Sequence, residues 1–501
     1  MNFVGYLFEK SRNLEKVFIL GDHGTFFYAE FIRKLEHLSS GIHTRFGSRK
    51  KFLIMADNTP FFIFSYLSVI FSGNIAVLVD TRINKTDLNQ VIATSSPDGA
   101  CIQEKYRKNF EDSELDIIDE TIINGIREEK NSINHIPVMN DDDIAVIIFT
   151  SGSTGSKKGV MLSHKNLIAN TESIIDYLKL TESDRICAVL PFFYCYGASL
   201  LHTHIRVGGS IVLNQKPFLG SMIKDIDTYH CTGFAGVPST YQILINKTPF
   251  LYQKFPSLKY FTQAGGQLPN RYIQMLSENF PKKKFFVMYG ATEATARLSY
   301  LPPELLTTKM GSIGKGIPGV TLVVLNEKGL PVKPSEIGEI AAKGDNIMKG
   351  YYNDPEETDA VLKNGWLLTG DLATIDDDGF IYVKGRSKNF IKSGGYRVSP
   401  NEIEHEILSI EKVNGCSVIG VPDEIMGEAI VAVILVSDTV NTEDLRREIL
   451  TYSNQRLPSY KVPKKIFFID EFPLNSSNKT DLFRLKEIIQ EMEKSETKSN
   501  N

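Results

Sequence analysis

The run Ile144-Ala-Val-Ile-Ile-Phe-Thr-Ser-Gly-Ser-Thr-Gly-Ser-Lys-Lys-Gly159 joins an apolar, mostly β-branched segment to a loop of hydroxyls and glycines closed by two lysines. The apolar part is too short to span a bilayer and reads as a buried strand. The loop holds nothing that could fill a core. It offers backbone N–H groups, the hydroxyls of Thr150, Ser151, Ser153 and Thr154, and the cationic heads of Lys157 and Lys158. Gly152 and Gly155 allow unusual backbone angles, so successive N–H groups can turn toward one anion. That is the chemistry of a phosphate cradle; a plain flexible turn would need fewer residues. A Walker loop runs Gly-x-x-x-x-Gly-Lys-Ser/Thr straight into a helix. Here Lys158 precedes Gly159, and Val160-Met-Leu162 continues as a strand before Ser163, a helix N-cap for Lys165 to Asn170. The loop therefore reads as ATP-handling but outside the P-loop class.

Five further stretches carry reactive residue types. Pro191-Phe-Phe-Tyr-Cys-Tyr-Gly197 follows a strand-like run with aromatics, a thiol and a glycine. In Gln263-Ala-Gly-Gly-Gln-Leu-Pro269, Gly265 and Gly266 permit close approach of a flat ring. Tyr289-Gly-Ala-Thr-Glu-Ala294 places Thr292 and Glu293 at a strand's exit. Leu368-Thr-Gly-Asp371 puts a carboxylate after a tight turn. Gly385-Arg-Ser-Lys-Asn-Phe-Ile-Lys-Ser-Gly-Gly-Tyr396 joins the two halves of the chain. Weaker signals are set aside. Gly314-Lys-Gly-Ile-Pro-Gly319 satisfies G-x-G-x-x-G, but a dinucleotide fingerprint follows a strand and opens a helix, whereas this one precedes a strand. Asp376-Asp-Asp-Gly379 reads as a hairpin turn, since the calcium-loop ladder is absent. His164 reads as a capping or packing residue, and His202 and His204 flank a helix without ligand-like neighbours.

The elements that must position these groups follow a βαβ rhythm. Tyr28 to Phe46 has helical periodicity, and Phe61 to Phe71 reads as a buried helix. Lys51 to Met55, Asn74 to Val79, Ile186 to Leu190, Ser210 to Leu213, Tyr260 to Thr262 and Phe285 to Met288 read as core strands. This rhythm implies a mostly parallel sheet with helices on its faces. Ligands of such sheets gather at the carboxyl ends of strands, so the loops above should share one cleft. From Thr321 short strands with Gly/Asp/Pro turns suggest a small β-rich subdomain. Two amphipathic patterns, Ser399 to Leu408 and Thr442 to Leu450, with strands at Val418 to Val421 and Ile430 to Val436, make a final compact α+β domain. The polar tail from Lys494 reads as disordered, and the N-terminal residues as an amphipathic first helix rather than a signal peptide. The fold class is thus α/β: a large N-terminal domain over 1–385 with parallel-rich layers and a small β-rich subdomain, a hinge at 386–389, and a mobile α+β C-terminal domain over 390–501.

The 501 residues exceed one core's worth, and 42% apolar with 23% charged content is normal for a soluble globular protein. A net charge of −4 gives no electrostatic footprint for nucleic acid. Five cysteines, an odd number with no C-x-x-C pair, fit reduced thiols in a cytoplasmic enzyme. No stretch is long and apolar enough for integral membrane association.

The loop Thr150 to Gly159, Tyr289-Gly-Ala-Thr-Glu293, Thr369-Gly-Asp371, Gly385-Arg386 and the late Lys479 occur in one order that resembles the adenylate-forming superfamily: acyl-CoA synthetases, luciferases and adenylation domains of peptide synthetases. Val160-Met-Leu-Ser-His-Lys-Asn-Leu167 and Gly311-Ser-Ile-Gly314 are similar to that family too. The resemblance covers about residues 10 to 485. It implies two half-reactions. A carboxylate attacks the α-phosphorus of ATP, giving acyl-adenylate and pyrophosphate; a phosphopantetheine thiol, of CoA or of a carrier protein acting in trans, then displaces AMP. By the same resemblance Thr150, Ser151, Gly152, Ser153, Thr154, Gly155 and Lys158 hold the β- and γ-phosphates. Thr292 touches the α-phosphate, Glu293 and Thr150 serve Mg²⁺, Gly265, Gly266, Gln267 and Tyr289 border the nucleotide, and Asp371 and Arg386 bind the ribose. Lys479 supplies the cation for adenylation, where one preorganised donor is worth about 3–4 kcal/mol. Asn478 stands where the family has glycine, and Asn tolerates left-handed angles. Lys388 marks the hinge, and Lys392 with Ser393, Gly394 and Gly395 would face the cleft for the thiol step.

The small carboxylic acid should sit among Tyr194, Cys195, Tyr196, Val237, Pro238, Ser239 and Gly265. Tyr194 replaces a histidine common in acyl- and aryl-CoA ligases, which weighs against a simple aryl or fatty acid. No carboxylate occurs between Pro191 and Gly209 to pair an α-ammonium, which disfavours an α-amino acid. Two alternatives stay open: an enzyme loading an amino acid onto a separate carrier protein, and a nucleotide-binding module without catalysis.

Overall fold

A computed structural model describes residues 1–121, 137–151, 157–214, 220–423, 425–436, 441–474 and 480–499. Among the described residues, two large sheets carry the N-terminal part of the chain. In one, Ile144–Ser151, Ile75–Leu78, Lys51–Met55, Gly99–Ile102 and Ile117–Ile118 run parallel, Lys157–Ser163 pairs antiparallel to Ile144–Ser151, and Gly350–Tyr351 forms the edge beyond it. In the other, Val17–Gly21, Ser210–Leu213, Arg185–Ala188, Gly233–Gly236, Tyr260–Gln263 and Lys284–Tyr289 run parallel in that order. Parallel strands are covered on both faces, which is why these segments read as unbroken apolar runs.

The helix Pro60–Phe71 lies in the largest core, and every residue from Phe61 to Phe71 is buried. A helix apolar all round belongs there. The helix His164–Leu178 starts at a capping box: Asn166 N–H donates to Ser163 Oγ at 3.2 Å, and Ser163 N–H donates to Asn166 Oδ1 at 2.8 Å. The first helix, Phe3–Phe8, is not amphipathic as its sequence suggested. Phe3, Val4, Tyr6, Leu7 and Phe8 are all buried, because later helices pack over the side that would otherwise face water.

The β-rich subdomain is an antiparallel sheet of Val320–Leu325, Gly338–Gly344, Trp366–Ile375 and Leu362–Lys363, with Ile381–Arg386 paired to Trp366–Ile375. Asp371 therefore does not follow a tight turn. It lies within the long strand, after Gly370 at φ +74° and beside a register shift that bulges the ladder. Beyond Phe390 a separate sheet carries apolar side chains on both faces. Ile430, Ala432 and Ile434 enter one core, while Ala429, Val431 and Val433 enter another, and neither core includes a residue before Ile391. The tail is not disordered at Lys494: the helix Leu482–Ser499 runs through it, anchored by buried Leu485 and Ile489.

The two parts meet at a small grip. Arg271 donates to the carbonyls of Ile410, at 3.1 Å, and Val413, and the Tyr272 hydroxyl donates to Asn414 O at 3.0 Å. No described helix is long and apolar enough to cross a membrane.

His202 and His204 do not flank a helix. Both are buried inside Cys195–Val207, and His202 Nε2 is 2.9 Å from the Tyr66 hydroxyl. Burial pulls His202 down to about 3 and His204 to about 4. Burial, then the charged N-terminus, pulls His164 to about 4. The unfolded chain takes these protons near pH 6.5, and the folded chain does not. The stability they support is complete above pH 6.5 and is lost as pH falls toward 4. His202→Gln keeps a hydrogen-bonding side chain but cannot titrate. Denaturant titrations between pH 6.5 and 4.5 should show its pH slope reduced by about 1.4 kcal/mol per pH unit relative to the parent.

Candidate functional site

The loops singled out in the sequence leave their strands at carboxyl ends, so the fold gathers them along one cleft. At the nucleotide end the cross-strand partners Asp371 and Arg386 form an ion pair, Nε to Oδ1 at 3.2 Å. The other carboxylate oxygen, Oδ2, accepts from the Tyr289 hydroxyl at 2.6 Å. The strand around Asp371 is held by its own neighbours: Gly370 N–H donates to Glu339 Oε1 at 2.8 Å, and Thr369 Oγ1 donates to Ile340 O at 3.0 Å. Burial, then the Asp371 charge, raises the Tyr289 phenol well above its ordinary range, so it stays a donor.

Just past Tyr289 the chain doubles back. A Cβ on Gly290 would stand 1.9 Å from Ala296 O, so only glycine lets the Thr292–Ala294 turn form there. The turn presents Thr292 to Cys195, with Oγ1 and Sγ 3.6 Å apart, and Cys195 is the first residue of its helix. Glu293 projects from the same turn. Its Oε1 accepts from the Tyr351 hydroxyl at 2.9 Å, and its carbonyl accepts from Met348 N–H at 2.9 Å.

At the phosphate end Thr150 and Lys158 are paired across the hairpin, and Thr150 Oγ1 lies 3.5 Å from Lys158 O. Lys158 Nζ sits 5.3 Å from the centroid of the same Tyr351 ring and 2.5 Å from Glu357 Oε2. Its side chain is only 10% exposed. Tyr351 thus ties the lysine of the phosphate loop to the glutamate of the following turn. Gly152, Ser153, Thr154, Gly155 and Lys479 lie outside the described residues, as do the side chains of Ser151 and Lys388.

At the acid end Tyr194 caps the helix Cys195–Val207, and its hydroxyl donates to Asp80 Oδ2 at 3.0 Å. Val237, which precedes the helix Pro238–Lys247, is buried. Gly265 takes φ +88°, and Gly266 O accepts from Gln263 Nε2 at 2.6 Å, leaving Gly266 and Gln267 exposed. Lys392 stands apart. Its backbone N–H donates to Glu428 Oε2 at 2.6 Å in the C-terminal sheet, and its side chain is exposed. No described hydrogen bond or ion pair joins it to the cleft.

Glu293 has no basic partner among the described residues; its one described side-chain hydrogen bond leaves an anionic oxygen for a cation. Hard carboxylate and hydroxyl oxygens suit Mg²⁺, so Glu293 and Thr150 fit that ion. Sequence reasoning missed Tyr351, Glu357 and Asp80. Tyr351 and Glu357 belong to Gly350-Tyr-Tyr-Asn-Asp-Pro-Glu-Glu-Thr358, a glycine- and acid-rich stretch whose composition alone suggested only a turn.

Comparisons with known proteins agree with this geometry. The family model described as "AMP-binding enzyme" matches residues 9–352, and "AMP-binding enzyme C-terminal domain" matches 402–479. A 2-succinylbenzoate–CoA ligase of Bacillus velezensis is 31% identical over 470 residues, covering 91% of this chain and 92% of that one. A long-chain-fatty-acid–CoA ligase of Bacillus subtilis is 29% identical over 477 residues, covering 87% and 84%. Among solved structures, the o-succinylbenzoate CoA synthetase MenE of Bacillus subtilis in complex with its acyl-adenylate intermediate superposes with a TM-score of 0.85 at 27% identity, over 96% of both chains. ATP-bound MatB from Rhodopseudomonas palustris gives 0.86 at 25% identity, over 98% of this chain and 99% of the other. With the match spanning most of its length and the cleft assembled from the family's motifs, the chain belongs to the AMP-binding enzyme family.

Proposed function

We propose that this chain is an AMP-forming acid–thiol ligase that activates a small carboxylic acid with ATP and passes the acyl group to CoA. The observation that carries the reading is Tyr351, which places Lys158 and Glu293 against one ring. A phosphate-binding cation and a metal-binding carboxylate are thereby held side by side, in the same cleft as the Asp371–Arg386 pair.

In the first half-reaction the carboxylate attacks the α-phosphorus, and pyrophosphate leaves. Lys158 and the Thr150 to Gly155 loop hold the β- and γ-phosphates. The triphosphate takes the place of Glu357 on Lys158, since two anions compete for one ammonium. Thr292 donates to the α-phosphate, and Asp371 and Arg386 hold the ribose hydroxyls. Gly265, Gly266 and Gln267 border the base. Glu293 and Thr150 would hold Mg²⁺, which when bound would supply neutralisation of charge on the phosphates. Lys479 brings an ammonium to the developing charge. In the second half-reaction the thiol attacks the acyl carbonyl and AMP leaves. The C-terminal domain, 390–501, turns about Lys388 against the N-terminal domain, 1–385, so that Lys392 and Gly394 replace Lys479 at the cleft. The relatives named as CoA ligases support CoA rather than a carrier-protein pantetheine as the thiol. No described cysteine forms a disulfide, which fits the cytoplasm, where ATP and CoA are found.

An ATP–pyrophosphate exchange screen over a panel of acids tests this directly. Exchange confined to amino acids would point to a carrier-loading enzyme, and none with any acid to a silent nucleotide module. Lys479→Ala should lower exchange by about 10²–10³-fold while still consuming supplied acyl-adenylate with CoA; equal loss of both steps would contradict a rotating C-terminal domain. Gly394 sits at φ +58°, and a Cβ there would meet Met426 Cε at 2.5 Å. Lys392→Ala and Gly394→Leu should therefore slow thioester formation more than adenylation, as read by separate single-turnover assays. Tyr351→Phe removes the donor to Glu293 but keeps the ring beneath Lys158. It should raise the Mg²⁺ concentration needed for half-maximal exchange by about tenfold, with little change in the KM for the acid.

A further inference from the structure

Side chains alternate across a strand. Tyr260 and Thr262 of one strand, and Phe286 and Met288 of the next, therefore share the side of the sheet that faces the helix Cys195–Val207, and all four are buried. Tyr196 reaches this side through a 2.9 Å hydrogen bond between its hydroxyl and Thr262 Oγ1. Into the same space the chain places Arg297, which is 2% exposed. Its guanidinium carbon lies 3.9 Å from the centroid of the Tyr196 ring. Nε donates to Met288 Sδ and Nη1 to Ala296 O, each at 3.4 Å.

This is thin compensation for a buried cation. A ring face, a thioether, the neighbouring Tyr177 phenol and one distant carbonyl stand where a desolvated guanidinium needs an anion. The comparison within the molecule is direct. Arg206 and Arg297 are the buried arginines among the described residues. Arg206 pairs with Glu9 at 2.7 Å and Glu172 at 3.5 Å. Arg297 pairs with no carboxylate among the described residues.

The location links this vacancy of charge to the acid. Tyr196 follows Cys195, whose Sγ is 3.6 Å from Thr292 Oγ1, the point at which the ligase reading puts the reacting carboxylate. Arg297 is also firmly anchored, since its carbonyl accepts from Asn170 Nδ2 at 3.0 Å and Asn346 Nδ2 at 2.9 Å. We propose that Arg297 selects acids bearing a second carboxylate: one carboxylate reacts at Thr292, and the other pairs with the Arg297 guanidinium. The proposal rests on the ligase reading above and narrows its substrate class. An uncharged chain entering the same space would leave the cation desolvated and unpaired.

The test compares matched acids in ATP–pyrophosphate exchange with the full-length protein: succinate against butyrate, glutarate against pentanoate, phthalate against benzoate. At least one diacid should exceed its partner in kcat/KM by about 100-fold or more. Arg297→Met should abolish that preference, and Arg297→Lys should keep part of it. The lysine variant, which keeps the charge but loses the planar fork, decides the matter if the methionine variant does not fold; it should lower the preference by about tenfold. Independently of turnover, the preferred diacid should raise the melting temperature of the parent protein and not of the methionine variant. Monoacids used as well as diacids, or a preference unchanged by the variants, would overturn the proposal and leave Arg297 as packing for Tyr196. Absence of exchange with every acid would instead refute the ligase reading, and the melting shift would then still decide what Arg297 binds.

Discussion

Carboxylates along this cleft are held by tyrosine hydroxyls. Tyr194 donates to Asp80, Tyr289 to Asp371 and Tyr351 to Glu293. A phenol fixes one oxygen and leaves the negative charge in place. A lysine there would fix the oxygen too, but it would also cancel the charge that a metal ion or ribose hydroxyl must find. Burial raises Tyr289 and Tyr351, with their carboxylates adding to the effect, so both remain donors. Two of the three also carry an arginine, Asp371 with Arg386 at 3.2 Å and Asp80 with Arg82 at 3.8 Å, whereas Glu293 makes no ion pair among the described residues. The cleft is thus preorganised without being neutralised, which is the condition for electrostatic work in a partly dry site.

The positions of the loops were legible because parallel strands leave an unmistakable trace. Ala145 to Ile148, Tyr260 to Thr262, and Phe285, Phe286 and Met288 are buried, and their strands read as apolar runs ending in glycine and hydroxyl residues. Family resemblance then assigned the loops in order. What the sequence hid were contacts made across distance. Tyr351 reaches Glu293 from 58 residues away, and Glu357 reaches Lys158 from 199. No local pattern announces such a partner. Asp371 was misplaced for a different reason: Gly370 signals a turn in sequence, but here its positive φ serves a bulge inside a continuing strand.

Burial of polar residues was likewise hard to read. His202 and His204 sit in a helix whose neighbours cover it on all sides, and nothing in their spacing says so. The C-terminal helix is the converse. Its polar composition suggested disorder, yet Leu485, Ile489 and Met492 recur at helical spacing and pack on the C-terminal sheet. Arg297 belongs to the same class of hidden features. A lone arginine after a tight turn gives no hint that it is buried, and only the fold reveals that it faces Tyr196 rather than a carboxylate.

The grip between the two halves of the chain uses Arg271 and Tyr272 on one side and the carbonyls of Ile410, Val413 and Asn414 on the other. Main-chain acceptors are the same whatever residue carries them. Mutations that change the side chains of 410–414 while preserving the loop's path leave these bonds intact. The docking surface is therefore tolerant of genetic drift on one side only, and a C-terminal half borrowed from a distant homologue could still seat against this N-terminal half.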